Sequence, residues 1–322
     1  MKHLFSLLLF FALCACTKPY TSSWQPAHKV KFQDGERFIS LNNIRYWVRV
    51  AGSQHQTTPI VIIHGGPGGN NYSFERTIGP QLEKFATVVY YEQRGCGRSE
   101  APQNPEDYQL KTLISDLNIL RDSLGVQKMN LLGYSFGGEL GLRYAVAHQD
   151  QVEKLIVSAP AELSEANMLV QLQGFYASGD SSLKAGIRKI LKDTTTLEQK
   201  YNRVWSISSS ANVDRFLFAQ PEKAALNRKL WQESKLKNTG LMAKVYLKHN
   251  KNDLIPTVSG LATPTLIISG AHDKNGGFHT GLALKKALPN NTFRIYENSA
   301  HFPDMEEPER FAADVKTFLG SK

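Results

Sequence analysis

Hydrophobic and polar positions follow two different periods along this chain, and the change from one to the other divides it. Between Glu36 and Val50, the residues Ile44, Tyr46, Val48 and Val50 alternate with Arg45, Trp47 and Arg49, the period of two expected of a strand with one covered face. Asn42-Asn43 interrupts the segment. Asparagine tolerates positive φ, so the pair predicts a tight hairpin and an antiparallel sheet edge. Beyond it the apolar positions bunch into short continuous runs: PIVIIHGG, TVVYYEQRG, MNLLGYS, KLIVSAPA, TPTLIISGAHD and TFRIYENSAH. Strands that are apolar on both faces suit a parallel sheet covered by helices on both sides. Segments between them carry the helical period. In LKTLISDLNILRDSLG the residues Leu113, Leu117, Leu120 and Leu124 recur at helical spacing with Gly125 as a stop, and after Pro308 the residues Phe311, Val315, Phe318 and Leu319 share one face. Strand and helix in alternation predict an α/β fold with a mostly parallel, doubly wound sheet.

One interval, 161–260, breaks the alternation. It holds no buried strand, only amphipathic, lysine-rich stretches such as EKAALNRKLWQESKL. Inserted between sheet segments at 34–160 and 261–322, it predicts a helical lid beside the C-terminal strand ends, where ligands of such sheets bind. In SLKAGIRKILKD the residues Leu183, Ile187, Ile190 and Leu191 predict one apolar stripe with charges opposite. Of the net charge of +9, +6 falls between residues 161 and 259, where 15 Lys/Arg face 9 Asp/Glu. We read this as a solvated helical surface; the other reading is attraction to an anionic membrane or acidic substrate. No zinc-finger spacing or nucleic-acid motif occurs, and no nucleic-acid partner is expected.

The first residues stand apart. MKHLFSLLLFFALCAC has a basic start at Lys2, an apolar run from Leu4 to Leu13 and small residues at its end, the pattern of an export signal over 1–15. LCAC resembles a bacterial lipobox, which implies cleavage before Cys16, lipid attachment there and anchoring in a bacterial cell envelope. An ordinary secretory signal with incidental cysteines, giving a periplasmic or secreted protein, is the alternative. A polar, Pro- and Ser-bearing tether follows over 16–33. Cys14, Cys16 and Cys96 are the three cysteines, so an exported domain holds one thiol and relies on packing.

Candidate chemistry lies where runs end. MNLLGYS leads into FGGELGLRYAVAH, so Gly133-Tyr134-Ser135-Phe136-Gly137 is G-x-S-x-G in a strand-to-helix turn. Such a turn presents a nucleophile in strained backbone, and flanking glycines remove side chains that would collide. A serine nucleophile needs a base, and the base an orienting carboxylate. Asp273 follows the strand TLIISG and His301 follows FRIYENSA, each in a loop at a strand's C-terminal end. Asp304 is the rival acid, His272 the rival base, and Cys96 reads as a small buried side chain.

At these positions the chain resembles the α/β-hydrolase superfamily, and more narrowly the proline iminopeptidase-like serine hydrolases. The resemblance runs over roughly Gly35 to Leu319, the lid excepted. HGGPGG at His64 to Gly69, EQRGCGRS at Glu92 to Ser99, GYSFGG at Gly133 to Gly138, GAHD ending at Asp273 and SAHFP around His301 fall in the family's order. It implies an α/β-hydrolase fold and a Ser135–His301–Asp273 triad. The oxyanion hole would combine the Phe136 N–H with one from the Gly65-Gly66 turn, for which Gly66 is favoured; neither metal nor organic cofactor is implied. The implied activity is an aminopeptidase on short peptides, whose free ammonium is held by lid carboxylates. Glu162, Glu165, Glu198, Glu222 and Glu233 are the candidates, with Glu198 and Glu233 carried forward. Two departures stand out. Trp205 is followed by serines where the family often has a Trp-Glu pair, Trp231-Gln232-Glu233 coming later; and Glu92 occupies a position where the family usually has Asp. A carboxylesterase or lactonase on small acyl substrates, and a catalytically inert surface binding lipoprotein, are the alternative readings.

Overall fold

The computed structural model describes residues 33–236, 241–249 and 253–320. The predicted signal, Cys16 and all but the last residue of the predicted tether lie outside the described residues. Among those described, no helix is long and apolar enough to cross a membrane. Eight strands form one sheet: β1 (Gly35–Leu41), β2 (Ile44–Ala51), β3 (Ile60–Ile63), β4 (Val88–Tyr91), β5 (Met129–Tyr134), β6 (Val152–Ser158), β7 (Thr265–Gly270) and β8 (Asn291–Tyr296), in spatial order β1-β2-β4-β3-β5-β6-β7-β8. β1, β2 and β4 pair antiparallel, and β3 to β8 run parallel. The order reverses around β3, where β4 lies to one side and β5 to the other. At such a switch point the loops leaving neighbouring strands diverge and open a crevice.

Local residues account for these elements. Asn42 and Asn43 both have positive φ, 48° and 59°, and close β1 onto β2 with Leu41 opposite Ile44, the turn that matches strand twist. β3 and β4 are buried along their whole length. Leu113, Leu117 and Leu120 of the helix Leu110–Ser123 enter the core on one sheet face with Val61 and Leu131, while Phe311 and Val315 of the helix Pro308–Gly320 enter it on the other. Trp47 departs from the alternation expected of β2. The opposite face of that strand is also covered, and Trp47 is buried there in the same apolar layer as Val88 and Tyr90 of the neighbouring β4, with the Arg98 guanidinium 3.2 Å from its ring centroid.

Between β6 and β7 the insertion is helical among the described residues, from Glu165–Ser178 through Leu254–Val258. It has its own apolar centre, in which Phe175 and Phe216 stack at 3.9 Å and Leu172, Leu183, Ile187 and Ile190 pack around them. Leu191, expected in the same stripe, is 48% exposed. It lies about 100° around the helix from Ile190, which turns it off the buried face.

Behind β4 a buried ion pair fixes the loop beside the crevice. Asp116 accepts from Arg94 Nε at 2.7 Å and Nη2 at 2.6 Å, from the Tyr46 hydroxyl at 2.7 Å and from Asn42 Nδ2 at 3.0 Å. Arg94 and Asp116 are both nearly inaccessible, so removing one partner strands a charge in the interior. We expect Asp116→Ala to lower unfolding stability by on the order of 3 to 5 kcal/mol, read from urea or thermal midpoints; a change within about 0.5 kcal/mol, the surface range, would show that the pair carries no such load.

Candidate active site

β5 ends on Tyr134 and the helix Phe136–Ala147 begins two residues later, leaving Ser135 to make the whole reversal. Its φ of 53° and ψ of −125° lie in strained territory for a residue with a side chain. The surroundings impose that conformation. The Ser135 N–H donates to Ser158 O at 2.9 Å, and its carbonyl accepts from Gly138 N at 2.9 Å. A Cβ on Gly137 would stand 1.9 Å from Ile63 O, and one on Gly133 2.2 Å from Gly137 O. Helix and sheet meet at backbone distance, which only glycine at these two places allows.

The other two residues arrive on loops from β7 and β8. His301 Nε2 is 3.0 Å from Ser135 Oγ, and its Nδ1 is 2.9 Å from Asp273 Oδ2. Asp273 Oδ1 accepts from Asn275 N at 2.7 Å, which fixes the carboxylate's second oxygen. With Nδ1–H donated to Asp273, Nε2 is left as the acceptor for the serine hydroxyl. His272, the rival base, is exposed, and its backbone N–H rather than its ring ties the loop to Ser299 O at 3.0 Å. Sequence reasoning does not single out Asn275. Its side-chain amide lies 3.0 Å from His301 Nε2, and its place two residues after Asp273 in the same loop is the available signal.

The HGGPGG turn comes against Ser135 from β3. A Cβ on Gly65 would be 2.9 Å from Ser135 Cβ, and Gly66 and Phe136 both line the cavity that opens above the serine. Phe136 is the first helical residue, so its N–H is among the first-turn donors without an intrahelical acceptor. The Phe136 ring packs edge-on against Tyr246 of the insertion at 5.1 Å. His64 is fully buried. Its Nε2 accepts from Gln93 N at 3.0 Å and its Nδ1 faces Gly65 O at 2.9 Å; burial holds it below the usual histidine range, as a neutral prop for the turn. Glu92 binds the Arg98 side chain and the backbone N–H of Arg98, a structural role. Cys96 is buried, and desolvation pushes its thiol well above the usual range, which removes it from nucleophilic chemistry.

Residues 58–308 match a family model described as the alpha/beta hydrolase fold. The chain belongs to the α/β-hydrolase family. A proline iminopeptidase from Heyndrickxia coagulans is 27% identical over 293 residues, covering 89% of this chain and 99% of that one. Among solved structures, a proline iminopeptidase-related protein from Thermus thermophilus superposes with a TM-score of 0.73 at 22% identity, covering 89% of this chain and 98% of its own. An esterase from Exiguobacterium antarcticum gives 0.66 at 21% identity, covering 89% and 100%.

The cavity of this α/β-hydrolase has a volume of about 810 Å³ and is roofed by the insertion, within the range of small-molecule sites. Glu198, Trp205 and Trp231 contribute to its wall. Glu233 does not: it is 44% exposed and pairs with Lys229 at 3.8 Å. Two residues along a helix turn the side chain by about 200°, so with Trp231 on the cavity side Glu233 faces away. This corrects its assignment as an amine-binding residue. Glu162 lines the cavity and accepts from Leu254 N, whereas Glu165 and Glu222 are exposed on helical first turns outside the wall.

Asp304 is the unexpected group. It too lines the cavity, yet is only 4% exposed, and His301 turns neither ring nitrogen to it. Burial pushes its carboxyl up to about 7, against weaker lowering by its own backbone N–H and by His301. A carboxyl raised in the folded state binds more protons there than in the unfolded chain, so stability falls as pH rises from about 4 through about 7. We therefore expect Asp304→Asn to gain stability relative to wild type above pH 7, by at most on the order of 4 kcal/mol. The gain should vanish by pH 4. Thermal midpoints of both proteins across pH 4 to 8 measure it, and a pH-independent difference would contradict the burial argument.

Proposed function

We propose that this α/β-hydrolase is a serine hydrolase that removes N-terminal residues from short peptides with a free N-terminus, in the manner of a proline iminopeptidase. The observation that carries the chemistry is the unbroken chain of contacts from Ser135 and His301, which line the cavity, to Asp273 buried behind them. Ser135 Oγ attacks the acyl carbon while His301 Nε2 takes its proton. Asp273 holds the imidazole in the needed tautomer and stabilises the imidazolium. The backbone N–H groups of Phe136 and Gly66 receive the developing oxyanion, each such donor contributing on the order of 3 kcal/mol in the transition state. His301 then protonates the departing amine, and water repeats the sequence on the acyl-enzyme.

Specificity for a free N-terminus is supported by two features. Glu198 and Glu162 put carboxylates in the cavity wall, and a charge-assisted contact with ammonium favours substrates that carry one. The Heyndrickxia coagulans relative is named a proline iminopeptidase. The competing reading, an esterase or lactonase on small acyl groups, draws on the aromatic wall formed by Trp205, Trp231 and Phe302 and on the likeness to the Exiguobacterium esterase.

A panel of aminoacyl arylamides with free and acetylated amines, beside short-chain aryl esters, separates these. We expect the free-amine arylamides to be cleaved, the acetylated ones to be refused, and Ser135→Ala to lose at least about 10³-fold in kcat, with fluorophosphonate labelling of the wild type only. Faster turnover of blocked esters than of every free amide would move the assignment to esterase, and absence of labelling in folded wild type would remove hydrolysis altogether. Export and lipid attachment at Cys16 belong to the same proposal. Radiolabelled palmitate should enter the wild-type chain in a bacterial host and not Cys16→Ala, and an unlabelled wild type would leave an ordinary secretory signal.

A further inference from the structure

Around the cavity, Asp304 differs from the other acids. Glu198 is exposed and Glu162 half-buried, so water screens both. Asp304 is enclosed at 4% exposure and still contributes to the wall. Among the described residues no arginine, lysine or histidine forms an ion pair with it. His301, three positions earlier, has its ring nitrogens engaged with Asp273, Ser135 and Asn275, and Lys244, also in the wall, does not pair with it. Asp304 lines the same cavity as Tyr134, Ser135 and His301, and so sits among the groups that surround the serine.

An enclosed carboxylate with no cation partner is costly, because burial removes hydration and the hydrogen bond from its own backbone N–H offsets only part of the loss. The same feature makes it selective. A cation that enters the cavity supplies the missing charge, and in an enclosed site the pair is screened far less than at the rim. We propose that Asp304 is the cation receptor of the substrate cavity, binding the protonated amine on the acyl side of the bond that Ser135 attacks. The inference rests on the serine-hydrolase reading above and deepens it. Direct recognition moves from the insertion to the histidine loop, and Glu198 draws the cation in from the exposed side. Because Asp304 and His301 share one short stretch of chain, the group that binds the amine and the group that takes the serine proton are held at fixed spacing.

Two measurements at pH 8 test it. In the first, propylammonium chloride and its neutral counterpart 1-propanol are added to wild type and Asp304→Asn, and thermal midpoints are recorded, a readout that needs no turnover. Propylammonium should raise the wild-type midpoint at concentrations at least tenfold below those at which propanol does, and Asp304→Asn should erase the difference. In the second, kcat/KM is compared for alanyl and propionyl esters of one phenol, which differ only in the ammonium. The wild-type preference for the alanyl ester should fall about 30-fold or more in Asp304→Asn, the loss expected when one partner of an enclosed charge pair is removed, and Asp304→Glu should recover part of it. Equal loss on both esters would mark Asp304 as structural and overturn the proposal. So would a wild-type midpoint indifferent to propylammonium, or a selective shift that survives in Asp304→Asn. A selective shift erased by Asp304→Asn, with no turnover of either ester by wild type, would leave the receptor standing and remove the hydrolase reading instead.

Discussion

The close contact between the helix Phe136–Ala147 and the strands beneath it governs the geometry of the whole site. At Gly137 the gap is so small that a single added carbon would lie 1.9 Å from the carbonyl of Ile63. The chain must therefore reverse direction within one residue, and Ser135 is left at positive φ with its backbone tied to Ser158 and Gly138. A side chain fixed in this way has little freedom to seek its partners. The partners come to it, on loops whose positions are set by the parallel register of β5, β6, β7 and β8.

The histidine depends on a different set of contacts. His301 N donates to Leu217 O at 2.9 Å, and Glu306 accepts from Ala219 N, Gln220 N and Ala300 N at 2.7, 2.9 and 2.7 Å. Thus the His301 loop is clasped to the insertion, whereas Ser135 is clasped to the sheet. Phe218 stacking on Phe302 at 4.7 Å adds an apolar side to the same clasp. The segment of the insertion around Leu217 to Gln220 therefore both contributes to the cavity wall and holds the His301 loop in place. Asp304 lies inside this clasp, between His301 and Glu306 in the chain, which explains how a carboxylate that lines the cavity can be enclosed.

Much of this is readable in the order of residues. The apolar runs form β3 to β8, though β8, at the sheet edge, is buried only at Tyr296; the Asn42-Asn43 pair forms a hairpin, and Ser135, Asp273 and His301, far apart in the chain, come within hydrogen-bonding distance. These features are local. A strand buried on both faces, a turn needing positive φ and a loop at a strand end each leave a short-range mark. The misreadings share the opposite property. Trp47 falls among outward residues in the pattern because alternation reports one face of a strand and says nothing about what covers the other. Leu191 and Glu233 are misplaced by it because composition reports that a helix is amphipathic, but only packing decides how it is rotated.

By itself, then, the amino-acid order determined the sheet, the elbow and the identity of the three residues that meet there, since each is encoded by a short pattern with one low-energy outcome. Tertiary structure alone decided which acids line the cavity. Glu198 and Glu233 are indistinguishable as letters, and Asp304 reads as no more than a neighbour of the histidine. The difference among them lies in exposure and in distance to other charges, quantities fixed by segments far apart in the chain folding onto one another.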